Sequence, residues 1–172
     1  MDKQTPSFEE AMNAASLWCN AWEEGELSDE VLADRVAELV ETINGARGFF
    51  VISLSSNSPL MDRLPEALIF RLRAAGDSVI DLTIRNLAMS TAMSLHHERD
   101  KNLEQKYNSE QIKRRCIELL RLLEPNSVKE KIEQLIQSIS GEGCYGDFLK
   151  RWGYDEEQKK AIISSINSIV EN

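Results

Sequence analysis

Histidine, cysteine and proline are all scarce in this chain, whose 172 residues hold two, three and four of them. Each shortage removes a class of chemistry. The two histidines are neighbours, His96 and His97, and no serine or cysteine is marked by its surroundings as a nucleophile, so no triad is expected. Cys19, Cys116 and Cys144 lie far apart with no CxxC pair, which argues against a disulfide frame or a zinc site and for reduced thiols. Long apolar runs are missing as well. The uncharged stretch from Asn86 to Leu95 falls well short of the roughly 20 residues that cross a bilayer, so no membrane span is expected. The opening residues MDKQTPSFEE offer no apolar core of a secretory signal, and the expected location is the cytoplasm.

Positive charge is missing from one region only. Residues 1–44 carry 11 acidic and 2 basic side chains, whereas residues 45–172 balance 18 against 18. The net charge of −9 therefore describes one surface. Net charge bears on association and not on fold, so this surface argues for a cationic protein partner or for simple solubility. At 42% apolar and 28% charged residues, the composition is that of a folded globular chain. A chain of this length buries on the order of 70% of its unfolded surface, enough for one self-sufficient domain spanning 1–172.

Helix punctuation recurs along the whole sequence. Ser7 and Glu10 form a capping box, followed by Phe8, Ala11, Met12, Ala15, Trp18 and Trp22 at helical spacing up to Gly25. Ser28 opens a second segment with Leu32, Val36, Leu39, Val40 and Ile43 as its stripe and Gly45 as a left-handed stop. Together they predict an acidic helical hairpin over 7–44. Residues 49–54, FFVISL, are the one strand-like run, but a lone strand has no partner, so a short buried helix is favoured over an extended segment. Pro65 suits the first turn of the next helix, with Leu68, Ile69 and Leu72 facing inward as far as Gly76. Ser78 and Asp81 then repeat the capping signature, and a long central helix is expected over 78–104, rich in small residues, with Met89 and Met93 on one flank. Ser109 is expected to begin a basic-leaning helix that stops before Pro125, and Ser127 with Glu130 to box the one after it. Tyr145, Phe148, Leu149 and Trp152 mark a short segment, and Asp155 with Gln158 caps a last helix burying Ile162, Ile166 and Ile169. The fold class is all-α: a helical bundle of about seven to nine helices around that long central helix.

Several strings imitate functional motifs. Gly141, Gly143 and Gly146 match G-x-G-x-x-G, but a helix precedes them where the dinucleotide fingerprint needs a strand, so an interhelical turn is the better account. His96 and Asp100 share a helix face at i,i+4 with Glu104 beyond them, while His97 points about 100° away. The HHERD string approaches the HHxxxDG of acyltransferases, with the aspartate one place early and no glycine after it. A polar helix end explains these residues. Glu38 and Glu41 echo one E-x-x-E pair of the MazG-type pyrophosphatases, but the E-x-x-D that should follow is missing and Asp77 and Asp81 are a looser pair. No cofactor and no metal is expected. Lys113, Arg114, Arg115 and Arg121 are interrupted by Glu110, Glu118 and Glu124, which disfavours nucleic acid. The same residues also suggest a homodimer in which they meet the acidic hairpin of a second copy.

Two sets of candidate residues remain. Trp18 and Trp22 lie one turn apart beside Glu23 and Glu24, with Glu9 and Glu10 on the same helix, an aromatic anchor inside a charged rim. Core packing is the competing account for the two tryptophans. Phe49, Phe50, Met89 and Met93 are candidates for lining a pocket for an apolar or pigment-like ligand.

The runs RGFFVISL, RNLAMSTAM with the following LHHERDKN, and YGDFLKRWGYDEEQKKAI resemble those of uncharacterised helical proteins of cyanobacteria. The resemblance covers most of the chain and implies an all-helical fold, but no activity, cofactor or catalytic residue. The expected role is thus a non-enzymatic interaction or regulatory module using the acidic hairpin, with a small-molecule binder second and a metal-dependent hydrolase third.

Overall fold

A computed structural model describes residues 5–141 and 143–170. Its regular structure there is α1 (Phe8–Glu23), α2 (Asp29–Leu39), α3 (Ile43–Ser55), a 3-10 turn (Leu60–Asp62), α4 (Glu66–Ala74), α5 (Asp77–Arg99), α6 (Leu103–Leu122), α7 (Pro125–Ile139), α8 (Gly146–Trp152) and α9 (Glu156–Val170). With nine α-helices and no strand among the described residues, the fold class is all-α. The chain divides into two compact units, one ending at Leu82 and the other starting at Thr83, so α5 begins in the first and continues into the second.

The first unit is set by its caps. The Ser7 hydroxyl accepts the Glu10 N–H at 3.1 Å and the Glu10 carboxylate accepts the Ser7 N–H at 3.1 Å, which fixes the start of α1. Gly25, at φ +81°, turns the chain after it, and Ser28 opens α2 by accepting the Val31 N–H at 3.2 Å. The next boundary departs from the sequence expectation. Thr42 accepts the Gly45 N–H at 3.1 Å and opens α3, so Gly45 lies in the first turn of a new helix and is no left-handed stop. A Cβ there would collide with the Leu39 carbonyl, so glycine lets the end of α2 approach α3. Ile43, expected in the buried stripe of α2, instead opens α3 and is 78% exposed.

The FFVISL run is helical, as favoured above, because α3 carries it against α1. The two backbones approach closely: a Cβ built on Gly48 would stand 2.5 Å from the Ala11 Cβ and 2.9 Å from the Met12 nitrogen. Ala11, Ala15 and Cys19 line the buried face of α1, small enough to permit this approach. Phe49 and Phe50 are fully buried and meet edge to face at 5.1 Å, each contributing about 1.5–3 kcal/mol by leaving water. Although α1 and α2 are consecutive, α1 packs principally on α3, and α2 principally on α4 through Leu68 and Leu72.

In the second unit α5 buries Ile84, Leu87, Ala88, Ser90, Thr91, Ala92 and Ser94, which covers most of its circumference. It ends at Arg99, short of the expected residue 104. Lys101 takes the left-handed conformation at φ 59°, and the Asn102 side chain accepts the Gln105 N–H at 3.2 Å to open α6. Ser109 is consequently buried inside α6 and starts nothing. α6 and α9 pack through Cys116, Leu119 and Leu120 on one side and Ile162, Ile166 and Ile169 on the other. Thr91 and Ser165 share a buried hydrogen bond of 3.0 Å, and the Gln158 amide donates to the Ala92 carbonyl at 3.2 Å. Ser127 is also displaced from its expected capping role. The Glu124 carboxylate accepts the N–H groups of Asn126 and Ser127 at 3.2 and 2.8 Å, with Pro125 in the first turn where its missing N–H costs nothing. Asp155 and Gln158 cap α9 reciprocally at 2.9 and 3.0 Å, as their spacing implies.

Candidate functional site: the acidic face of α1 and α2

Helix α1 divides its residues between two faces. Ala11, Ala15 and Cys19 are buried, Glu9, Glu10, Glu23 and Glu24 are exposed, and Phe8, Trp18 and Trp22 are half-buried between them. The tryptophans are therefore neither core residues nor fully free ones. The Trp22 indole N–H donates to the Asp29 carboxylate at 2.7 Å across the α1–α2 turn, which fixes the plane of the ring. The Arg35 guanidinium stands 5.9 Å from the Trp18 ring and that of Arg47 5.0 Å from the Phe8 ring. Arg71 pairs with Asp34 at 2.6 Å. A shallow open groove of about 360 Å³ lies beside Trp22, lined also by Glu23, Pro59 and Arg63.

The charge of this unit is uncompensated. Residues 1–82 carry 15 acidic and 6 basic side chains, and residues 83–172 carry 14 of each. Hydrogen bonds from the backbone and hydroxyl of Ser7 hold the Glu10 carboxyl below the usual carboxylate range. Cys19 behaves oppositely: burial, with the neighbouring Glu23 charge adding to it, pushes its thiol up to about 11. It is a core thiol and no nucleophile.

The other sequence candidates are placed as follows. Phe49 and Phe50 are fully buried in the first unit, whereas Met89, half-buried, and Met93, 40% exposed, belong to the second. His96 meets Asp100 at 3.2 Å, and both side chains are more than half exposed. Glu38 lies on α2 but Glu41 lies beyond its end. Among the described residues no group of three or more His, Cys, Asp or Glu is placed to hold a metal ion. No described helix is long and apolar enough to cross a membrane. Gly141 and Gly143 lie between α7 and α8 and Gly146 opens α8, next to the point where the Ser138 hydroxyl accepts the Tyr145 N–H at 3.0 Å. Among the basic residues named on α6, Arg115 is buried and Lys113 pairs with Glu110 at 3.6 Å. Arg121 donates to the Ser168 and Ile169 carbonyls at 2.5 and 3.4 Å, closing the end of α9, and also pairs with Glu118. Lys113 and Arg121 are thus committed within their own unit.

The sequence did not single out Asp29, Arg35, Pro59 or Arg63 as parts of this face. An acidic residue seven places after a tryptophan, across a glycine turn, is a usable signal for the first. Pro59 and Arg63 arrive from a distant connection and leave no local trace.

Over residues 7–169 the chain matches the model of a family described as Uncharacterised conserved protein UCP020893. No curated protein and no solved structure matches it.

Proposed function

Because the chain belongs to this uncharacterised conserved family, whose description names no activity, we propose a function from geometry and charge: a helical interaction module whose acidic α1–α2 face receives a basic segment of a partner protein. The observation that carries it is the segregation of charge, with the whole net −9 in residues 1–82 and none in the remainder. An acidic face attracts a cationic partner over about 8 Å at physiological ionic strength and raises its association rate. Trp18 and Trp22 supply the apolar contact that charge alone lacks, since half-buried tryptophans in a polar rim resemble the anchors of protein interfaces. Binding, not catalysis, is the role these residues fit. Three free thiols, two of them buried, suit a reducing compartment such as the cytoplasm. The test is the salt dependence of partner capture. Retention that weakens between low and high salt, and that is lost when Glu9, Glu23 and Glu24 are changed to Gln, supports the reading. Retention indifferent to both removes it.

A further inference from the structure

Three aromatic rings of α1 stand half-buried along the acidic face, and two of them already carry an arginine: Arg47 over Phe8 and Arg35 over Trp18. Among the described residues the third, Trp22, has no guanidinium over its ring. What it has is an open groove, lined also by Glu23, Pro59 and Arg63. Its ring is also held in place beforehand, because the indole N–H is committed to Asp29 at 2.7 Å. We propose that the Trp22 groove is the anchor point of the acidic face and takes the guanidinium of an arginine in the partner's basic segment.

The chemistry of the groove favours this occupant. An aromatic face attracts a cation through its quadrupole, and arginine, planar and weakly hydrated, stacks on it better than lysine. Glu23 supplies the opposite charge at the rim of the same groove. The fixed indole loses little freedom on binding, which lowers the cost of association. Arg63 also lines the groove and its charge opposes a bound guanidinium, so the attraction must come from the Trp22 ring, Glu23 and the wider field of the acidic face, with the flanking basic residues left to Glu24 and its exposed neighbours. The inference rests on the interaction-module reading but specifies a side chain and a place that the reading does not.

The test uses the whole chain labelled with ¹⁵N, and as probe the blocked pentapeptide acetyl-Gly-Gly-Arg-Gly-Gly-amide. The three tryptophans give three indole N–H resonances, and Trp22→Phe identifies the one belonging to Trp22. The Trp22 signal is expected to shift saturably while those of Trp18 and Trp152 stay in place. A citrulline-containing peptide of the same sequence is expected to leave all three unmoved, and Glu23→Gln to weaken binding about threefold. Equal movement of all three indoles, or equal response to citrulline, overturns the groove. Partner capture from the native host separates this failure from failure of the broader reading. Trp22→Phe is expected to retain the partner and Trp22→Leu to bind it about fivefold more weakly, the size of one exposed cation–π contact. If Trp22→Leu captures as well as wild type while Glu9, Glu23 and Glu24→Gln does not, the acidic face stands and the groove falls.

Discussion

Replacing Gly48 by alanine tests the packing that holds the acidic face in position. The added methyl would lie 2.5 Å from the Ala11 Cβ, 2.9 Å from the Met12 nitrogen and 3.0 Å from the Ala11 carbonyl carbon. Two of these three atoms are backbone and the third is a Cβ, so no flexible side chain can swing aside. α1 and α3 must separate by about an ångström, and overpacking of this kind costs about 1–3 kcal/mol. With two backbone atoms and a Cβ in the way, the cost falls in the upper part of that range, about 2–3 kcal/mol, and alanine returns up to about 1 kcal/mol through its better helix propensity, leaving a net loss of about 1–2 kcal/mol. For a chain of this size that corresponds to a melting point lower by about 2–8 °C. Gly146 provides the control, because it opens α8 with a negative φ and an alanine Cβ there would meet nothing within 4 Å. Gly146→Ala is expected to be neutral or slightly stabilising. Urea unfolding of the two variants beside wild type reads the difference, and a Gly48→Ala protein as stable as Gly146→Ala would refute the close α1–α3 approach.

Ser138→Ala removes the acceptor of the buried Tyr145 N–H and is expected to cost about 1–3 kcal/mol, with faster hydrogen exchange at the Tyr145 amide as the local signature. Arg99→Ala is expected to destabilise the second unit at neutral pH and to matter less in acid. Arg99 bonds Asp155 at 2.6 Å and holds its carboxyl below the usual range, so this contribution is present above the ordinary carboxylate pKa and is lost as pH falls through the lowered value. Urea midpoints of wild type and variant should therefore converge as pH falls from about 7 through the lowered carboxyl pKa, and a constant difference contradicts the assignment. In alkylation at pH 8, Cys144, which is exposed, is expected to react first, while Cys19 and Cys116 stay protected until the chain unfolds, because burial both covers their thiols and raises their pKa. Mass mapping of the modified peptides decides it.

Where a cap and its partner residue stand three apart with ordinary chemistry, the helix start was legible from sequence. Ser7 with Glu10, Ser28, and Asp155 with Gln158 all act as their spacing implies. Boundaries went astray where the chain used less conventional devices. The end of α5 depends on a lysine in the left-handed region, which no lysine announces in a sequence, and the Asn102 cap that follows was hidden inside a polar run. At Thr42 a threonine cap and a glycine demanded by close approach stand together, and in the sequence that glycine imitates a helix stop. Glu124 capped a helix where a serine three residues later was the more usual choice. The acidic face itself was legible, because charge along a chain survives folding. The partners of its aromatics were not: Arg35, Arg47 and Pro59 reach α1 only through the packing of α2, α3 and the connection after α3. Arg115 shows the same limit, since nothing in a basic helix run distinguishes the one arginine that is buried.

Whether the acidic face holds a basic partner is decided by native co-purification of the full chain from its host at low salt, comparing wild type with a variant carrying Glu9→Gln, Glu23→Gln and Glu24→Gln. A basic protein is expected in stoichiometric amount with wild type, released by raised salt, and none with a variant that remains folded by circular dichroism. Wild type emerging alone, or the same partner retained by both proteins, would contradict it.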